Sequence, residues 1–298
     1  MVARVATFSH AESLLQHAMQ TQARLAQKQI QQASGEIASS YAGLGTGGEA
    51  LVSLEVAATR AGSYLSSAQT TLDRVEMMYS AVGAMSDLLT RMRAEVAGTM
   101  TVDQISDLQS VAAGLLEDMA SQLNTQFEGR YLFAGSLTGS APVVLDGYQA
   151  TSLATADAGY YQGDDLLQSA RIGATRVLDY GVTGDATAFE TALRVLSYVA
   201  TADPLDLDEL SEVAALLVEA QDGIIALQSG LATKAATLEA TIEAESTYIA
   251  TLEEMISARK GVDAVVVAAE IATLETQLQA SYAAIGKLSS MSLLDYLR

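Results

Sequence analysis

His10 and His17 are the only histidines in the chain, and they are the first residues to test for metal binding or proton transfer. Seven residues separate them, two turns of a helix, which is too wide to share one metal ion, and no carboxylate-rich motif accompanies them. Solvated or interfacial histidines are therefore expected. Gly43, Gly45 and Gly48 spell GxGxxG. That pattern cradles a dinucleotide only after a strand, within a βαβ unit, and here a helical pattern precedes it. A flexible break between helices is the plainer reading. Asp146, Asp157, Asp164, Asp165 and Asp185 fall among glycines. They lack the ligand spacing of a calcium loop, and turns collect aspartate for their own hydrogen bonds. No GxSxG elbow occurs, and the absence of cysteine removes disulfides, thiolate catalysis and Cys-ligated zinc together. No catalytic residue, cofactor or metal site is expected, so the chain reads as a protein that is not an enzyme.

The elements that could position anything are long helices. Hydrophobic residues make up 50% of the chain, but only 5% is aromatic; tryptophan is absent and there are two prolines, Pro142 and Pro204. Small and straight side chains in that proportion favour helix against helix. A net charge of −20 repels phosphate backbones, so neither nucleic acid nor an anionic membrane is expected as a partner. The first twenty residues lack the apolar run of a cleaved secretory signal, and no run is long enough to span a bilayer.

Helical spacing of Val5, Phe8, Ala11, Leu15, Ala18, Leu25, Ile30 and Ala33 predicts a helix over 1–41, broken at Gly43 to Gly48. A second run starts near Leu54, with its seam on Leu65, Ala68, Leu72, Val75, Tyr79, Val82, Met85, Leu89, Met92 and Val96. It resumes at Ile105 and ends near Leu123. Met77, Met78, Met85 and Met92 read as core filler. Between 129 and 188, glycines punctuate short β-prone stretches at 142–145, 159–163, 169–173 and 176–182. Helix returns near Ala188. Asp203-Pro204, followed by Asp206, Asp208 and Glu209, predicts a fresh helix start. Apolar heptad positions then run from Leu210 to Met255, lapsing at Lys234, Thr241 and Glu245. Such a run makes a rod of about 75 Å. A final helix over 263–291 leads into Leu293, Leu294, Tyr296 and Leu297.

The expected fold is mainly α, a long antiparallel helical coiled-coil stalk formed by N- and C-terminal segments, with a small β-rich domain inserted in the middle. Its divisions are a terminal helix at 1–45, stalk at 46–128, a β-rich head at 129–188, stalk at 189–260 and a second terminal helix at 261–298. The chain ends are expected to meet at one end of the stalk and the head to sit at the other. Val5, Phe8, Leu15, Ile285, Leu288, Leu293, Leu294, Tyr296 and Leu297 leave apolar seams unfinished at both ends of the sequence. Each large side chain left in water forgoes about 1.5–3 kcal/mol of burial, so these residues form a candidate assembly interface.

Three segments then resemble one family. GRYLFAGSLTGSAP at 129–142 is similar to the stalk-to-head motif of the hook–filament junction proteins of the flagellin superfamily, with Gly129, Arg130, Tyr131, Phe133 and Gly135 as its matching residues. YYQGDD at 160–165, with ARIG (170–173), VTGD (182–185) and AFETAL (188–193), is similar to that family's return from head to helix. LETQLQASYAAIGKLSSMSLLDYLR at 274–298 resembles the C-terminal helix shared across the superfamily. The turn YAGLGTGGEA at 41–50 departs from the family's usual paired-Asp-Pro turn, which keeps a minor or atypical flagellin open as the alternative. The resemblance implies a structural flagellar subunit, exported without a cleaved signal peptide to an extracellular place in the flagellum. It implies a ring of about eleven copies, with another hook-associated protein and flagellin as neighbours and a cytoplasmic chaperone before export. Arg130 is expected to pair with an acidic neighbour while Tyr131 and Phe133 pack.

Overall fold

The computed structural model describes the backbone of residues 2–45 and 47–296, and the side chains of 12–45 and 47–287. Among the described residues six α-helices carry the fold: α1 (Val2–Ser34), α2 (Gly47–Gly98), α3 (Ile105–Leu123), α4 (Thr187–Thr201), α5 (Glu209–Lys260) and α6 (Ala264–Tyr296). Four short strands, β1 (Gln126–Phe127), β2 (Arg130–Tyr131), β3 (Ser169–Arg171) and β4 (Val177–Asp179), form two antiparallel hairpins, β1-β2 and β3-β4. The mainly α fold with a small β insert is the one expected. The chain divides into two compact units, residues 1–59 with 250–298, and residues 60–249.

In the first unit α1 and α6 pack against each other. They run antiparallel, since Lys28 pairs with Glu270 at 2.5 Å while Val262 N–H donates to the Gly35 carbonyl at 2.9 Å. Helix α1 stops at Ser34, several residues before the expected break at Gly43. The reason is Gly35, whose φ of +71 ends the helix in the left-handed region. From there Ile37 N–H turns to the Lys260 carbonyl at 2.8 Å. Helix α2 begins earlier than expected, at Gly47, with Glu49 in its first turn, where a carboxylate meets the positive end of the helix dipole. Glu55 joins the Lys260 ammonium (2.8 Å) to the Tyr41 hydroxyl (2.6 Å).

In the second unit α2 and α5 run antiparallel: Gly83 faces Gln228, and further along Thr90 and Arg93 both bond Gln221. Val75, Val82, Met85, Leu89, Met92 and Val96 are buried on α2, and Leu210, Val213, Leu217, Ile224, Leu231 and Leu238 on α5. One seam position differs. Tyr79 is exposed and Met78 takes its place, because a helix of 3.6 residues per turn drifts from a strict heptad and a phenol is the better residue to leave in water. Met77 is also exposed, so only three of the four methionines fill the core. Helices α3 and α4 pack on each other and extend the pair into a four-helix bundle, with Gln109 Nε2 donating to the Ala202 carbonyl at 2.7 Å.

Further expectations fail in this unit. The β part does not cap the stalk. The end of the unit away from residues 60 and 249 is made by the turns at 99–104 and 202–208, where Met100 and Val102 are exposed. The hairpin β3–β4 lies along the flank, at the level of Arg74, Lys234 and Thr241. Small two-stranded hairpins bury too little to stand alone, whereas α3 and α4 complete a helical core by continuing past them. Nor does a helix start at Asp203-Pro204. Leu205 is buried among the core side chains, and α5 starts later, where the Glu209 carboxylate accepts the Asp206 backbone N–H at 3.2 Å, as in one half of a capping box. The expected strand at 142–145 reduces to a single bridge between Val143 and Tyr161. Asn124, the one asparagine of the chain, holds this segment from both sides: its Nδ2 donates to the Val143 carbonyl at 2.9 Å and its Oδ1 accepts the Val143 N–H at 3.0 Å.

Candidate assembly surfaces and the stalk–hairpin junction

The segments singled out in the sequence converge on one node. Hairpin β1–β2 turns through Glu128 and Gly129, both at positive φ (51° and 75°), the pair of conformations a two-residue type I′ turn demands. Arg130 Nε then donates to the Thr138 hydroxyl at 3.0 Å, and Tyr131 N–H to the Thr138 carbonyl at 3.0 Å. Arg130 therefore has a hydroxyl partner, not the acidic one expected. Phe133 is fully buried and meets Phe189 of α4 edge to face, with ring centroids 5.9 Å apart. Its carbonyl accepts the Gly184 N–H at 2.8 Å, and the Tyr160 hydroxyl donates to the Gly184 carbonyl at 3.0 Å. Gly135, at φ +66, lies against Asp164, where any side chain would collide. The Ser136 hydroxyl and amide both donate to the Asp164 carboxylate, and these bonds hold its pKa below the usual range. Residues from 129–142, 160–165, 182–185 and 188–193 thus build a single packed junction.

Beneath it lies a buried ion pair that the sequence reading missed. Arg194 Nε bonds the Glu190 carboxylate at 2.7 Å, and the same oxygen accepts the Asp157 N–H at 2.8 Å. Glu190 and Arg194 are both buried, at 5% and 6% exposure. Their spacing of four on one helix was the available signal.

Tyr148, Tyr160 and Tyr161 surround this region, Tyr148 and Tyr160 in edge contact at 5.3 Å. Burial pushes all three phenols well above their ordinary pKa. Asp157 adds to the effect at Tyr148, the Tyr148 ring at Tyr160 and Asp185 at Tyr161. A pKa raised on folding stabilises the protein below the unfolded value and loses that contribution as pH climbs through the gap. Stability should therefore fall steeply above about pH 10, and phenolate absorbance at these rings should appear together with loss of helical circular dichroism. Gradual ionisation of all tyrosines in a protein that stays folded would contradict the prediction.

Of the candidate assembly residues, Leu15 is 48% exposed on α1 and Ile285 is half-buried on α6. Val5, Phe8, Leu288, Leu293, Leu294 and Tyr296 lie on the helical backbone of α1 or α6, with side chains outside the described residues, as is all of Leu297. Met19 (61%) and Ile30 (63%) are exposed on α1, on the same face as Leu15 at helical spacing. Val265, Val266 and Tyr282 are exposed on α6. The sequence reading left these five out of the interface. His17 is solvent-exposed; the His10 side chain is not described. Gly43 and Gly45 follow a helix, in a 3-10 turn and its end. Among the described residues no group of three or more His, Asp or Glu could hold a metal ion, and no helix is long and apolar enough to cross a membrane.

Residues 5–138 match the family model described as the bacterial flagellin N-terminal helical region. That stretch, under half of the chain, is similar to the N-terminal helical region of flagellins. No protein of curated function matches the sequence. Among solved structures, this chain is similar to a protein from Vibrio parahaemolyticus ascribed to the flagellar hook-associated class. That match has a TM-score of 0.58 and 15% identity, and covers 70% of this chain and 96% of the other. It is similar also to FlgL of Bacillus cereus, with a TM-score of 0.55, 16% identity and coverage of 67% and 99%. A third is FlgL of Xanthomonas campestris, with a TM-score of 0.51, 12% identity and coverage of 68% and 98%. At these identities the likeness is one of fold: a helical stalk with a small β insert.

Proposed function

We propose that this chain is a non-enzymatic structural subunit of the bacterial flagellum that forms the junction between hook and filament by self-assembly through α1 and α6. The observation that carries this reading is the exposed apolar stripe Leu15, Met19 and Ile30 on α1, together with Val265, Val266 and Tyr282 on α6. A pair of helices can bury only one face of each. Large apolar side chains left exposed along one face, as on α1, mark a place for a partner, and in a ring every copy supplies both the surface and its cover. Val5, Phe8, Leu15, Ile285, Leu288, Leu293, Leu294, Tyr296 and Leu297 form the interface in this proposal. The remaining partners are those the family resemblance implies: a ring of about eleven copies, the other hook-associated protein, flagellin and an export chaperone, with export that uses no cleaved signal. The junction at 129–135 sets the small β part against the stalk and has no chemistry of its own.

Deleting the last ten residues should leave soluble, helical protein that fails to enter flagella in a strain lacking the intact copy. Assembly and swimming supported by that truncation would overturn the proposal. Purified intact protein polymerising alone into long filaments would favour the minor-flagellin alternative.

A further inference from the structure

The stalk seam of the second unit is apolar at Leu217, Ile224, Leu231 and Leu238, yet it admits a cation at Lys234 and a hydroxyl at Thr241. Both polar positions meet the same object. Lys234 Nζ donates to the Tyr180 carbonyl at 3.3 Å, and Arg176 Nη1 reaches the Thr241 hydroxyl at 3.4 Å. Tyr180, which is buried, is also held from the opposite helix: Arg74 Nη1 on α2 donates to its hydroxyl at 3.2 Å, and that hydroxyl donates to Gln168 Oε1 at 2.9 Å. One residue at the end of β4 therefore ties α2 to α5.

The paired residues of hairpin β3–β4 give it little apolar contact, and its firm apolar anchors are Ile172 in the connection and the Tyr180 ring. It has three residue pairs, Ser169 with Asp179, Ala170 with Leu178 and Arg171 with Val177, and only Ala170 and Leu178 are partly buried. A two-stranded hairpin of that size is marginal alone, and a slip of one residue would turn Leu178 outward. Directional bonds at both ends of Tyr180 add orientation to those apolar anchors. Burial lowers the pKa of Lys234, with Asp179 working the other way, so the ammonium gains little by being there.

We propose that Lys234 is a specificity residue of the stalk: it fixes a single seat for hairpin β3–β4 on the α2–α5 seam, where an apolar residue would stabilise the seam at least as well. Replacing buried charge by apolar side chains of similar volume is often neutral or stabilising, and the documented use of such charges is to select one arrangement.

The test uses the full chain and its variants K234M and K234R, comparing thermal midpoint with amide hydrogen exchange. In K234M the midpoint should stay the same or rise, while amides of residues 168–182 exchange at least tenfold faster and those of α4 keep their wild-type rates. K234R, which restores a donor, should return protection to 168–182. Unchanged protection of the hairpin in K234M would overturn the proposal. So would a fall in midpoint with matching loss of protection across α4, or a K234M chain that does not fold. Each of these would make Lys234 an ordinary stabilising contact or an inert one. None of these readouts requires flagellar assembly, so failure here leaves the functional proposal standing.

Discussion

Replacing Phe133 with alanine should destabilise the second unit by about 3–5 kcal/mol, the range for removing a buried phenylalanine from a core that cannot collapse around the space. Phe133 has no exposed surface and is wedged between α4 and the 160–165 segment. Its own carbonyl is bonded to Gly184 and its ring to Phe189. The backbone therefore cannot slide in to fill the void. Phe189→Ala should cost a similar amount. The double variant should fall short of the sum by about 0.5–1.5 kcal/mol, the coupling expected of an edge-to-face pair. Urea unfolding followed by circular dichroism would measure all three. A Phe133→Ala chain within about 1 kcal/mol of wild type, far below the usual range, would mean that the junction is loosely packed.

A comparable loss is expected from breaking the pair beneath it. Glu190→Leu leaves the Arg194 guanidinium buried without a carboxylate, and Arg194→Met leaves the carboxylate with the Asp157 amide and the Thr191 hydroxyl only. Each single change should cost about 3–5 kcal/mol, because an uncompensated charge remains inside. The double change should recover most of that, since the desolvation of both charges is removed with them. Arg194 Nη1 has no hydrogen-bond partner in the protein, so the pair is imperfectly satisfied from the start. If the double variant were as unstable as either single one, packing of the long side chains would be the dominant effect instead of charge.

The helices were legible because their seams repeat: Val82, Met85, Leu89 and Met92 on one side and Leu210, Val213 and Leu217 on the other are buried as their spacing demanded. Helix starts were less legible. Asp203-Pro204 carries every local signal of an N-terminus, yet Leu205 is drawn into the core and the start moves on to Glu209. Burial of one leucine outweighs a cap worth about 1 kcal/mol. The place of the β part was not legible at all, since it depends on which polar groups meet across 54 residues of chain between Tyr180 and Lys234. The lapses at Lys234 and Thr241 were visible in the heptad, but nothing local said that a hairpin occupies them. Junction residues Gly129, Phe133 and Gly135 were legible as a motif; Glu190 lies in a matching segment and Arg194 directly after it, one turn on, yet the pair was passed over. The terminal surfaces were read from hydrophobicity alone, which names apolar residues but does not tell an open face from a covered one.

The double hold on Asn124 has a bearing on how the molecule ages. Spontaneous deamidation needs a carboxamide free to be attacked by the following backbone nitrogen, and the sole asparagine has both ends of its amide engaged by Val143. With no thiol in the chain, slow chemical wear falls instead on thioether sulfur, and among the described methionines first at Met100 in its open turn, 78% exposed. A subunit stored for weeks in aerated buffer should gain oxygen at that turn long before it gains negative charge at Asn124.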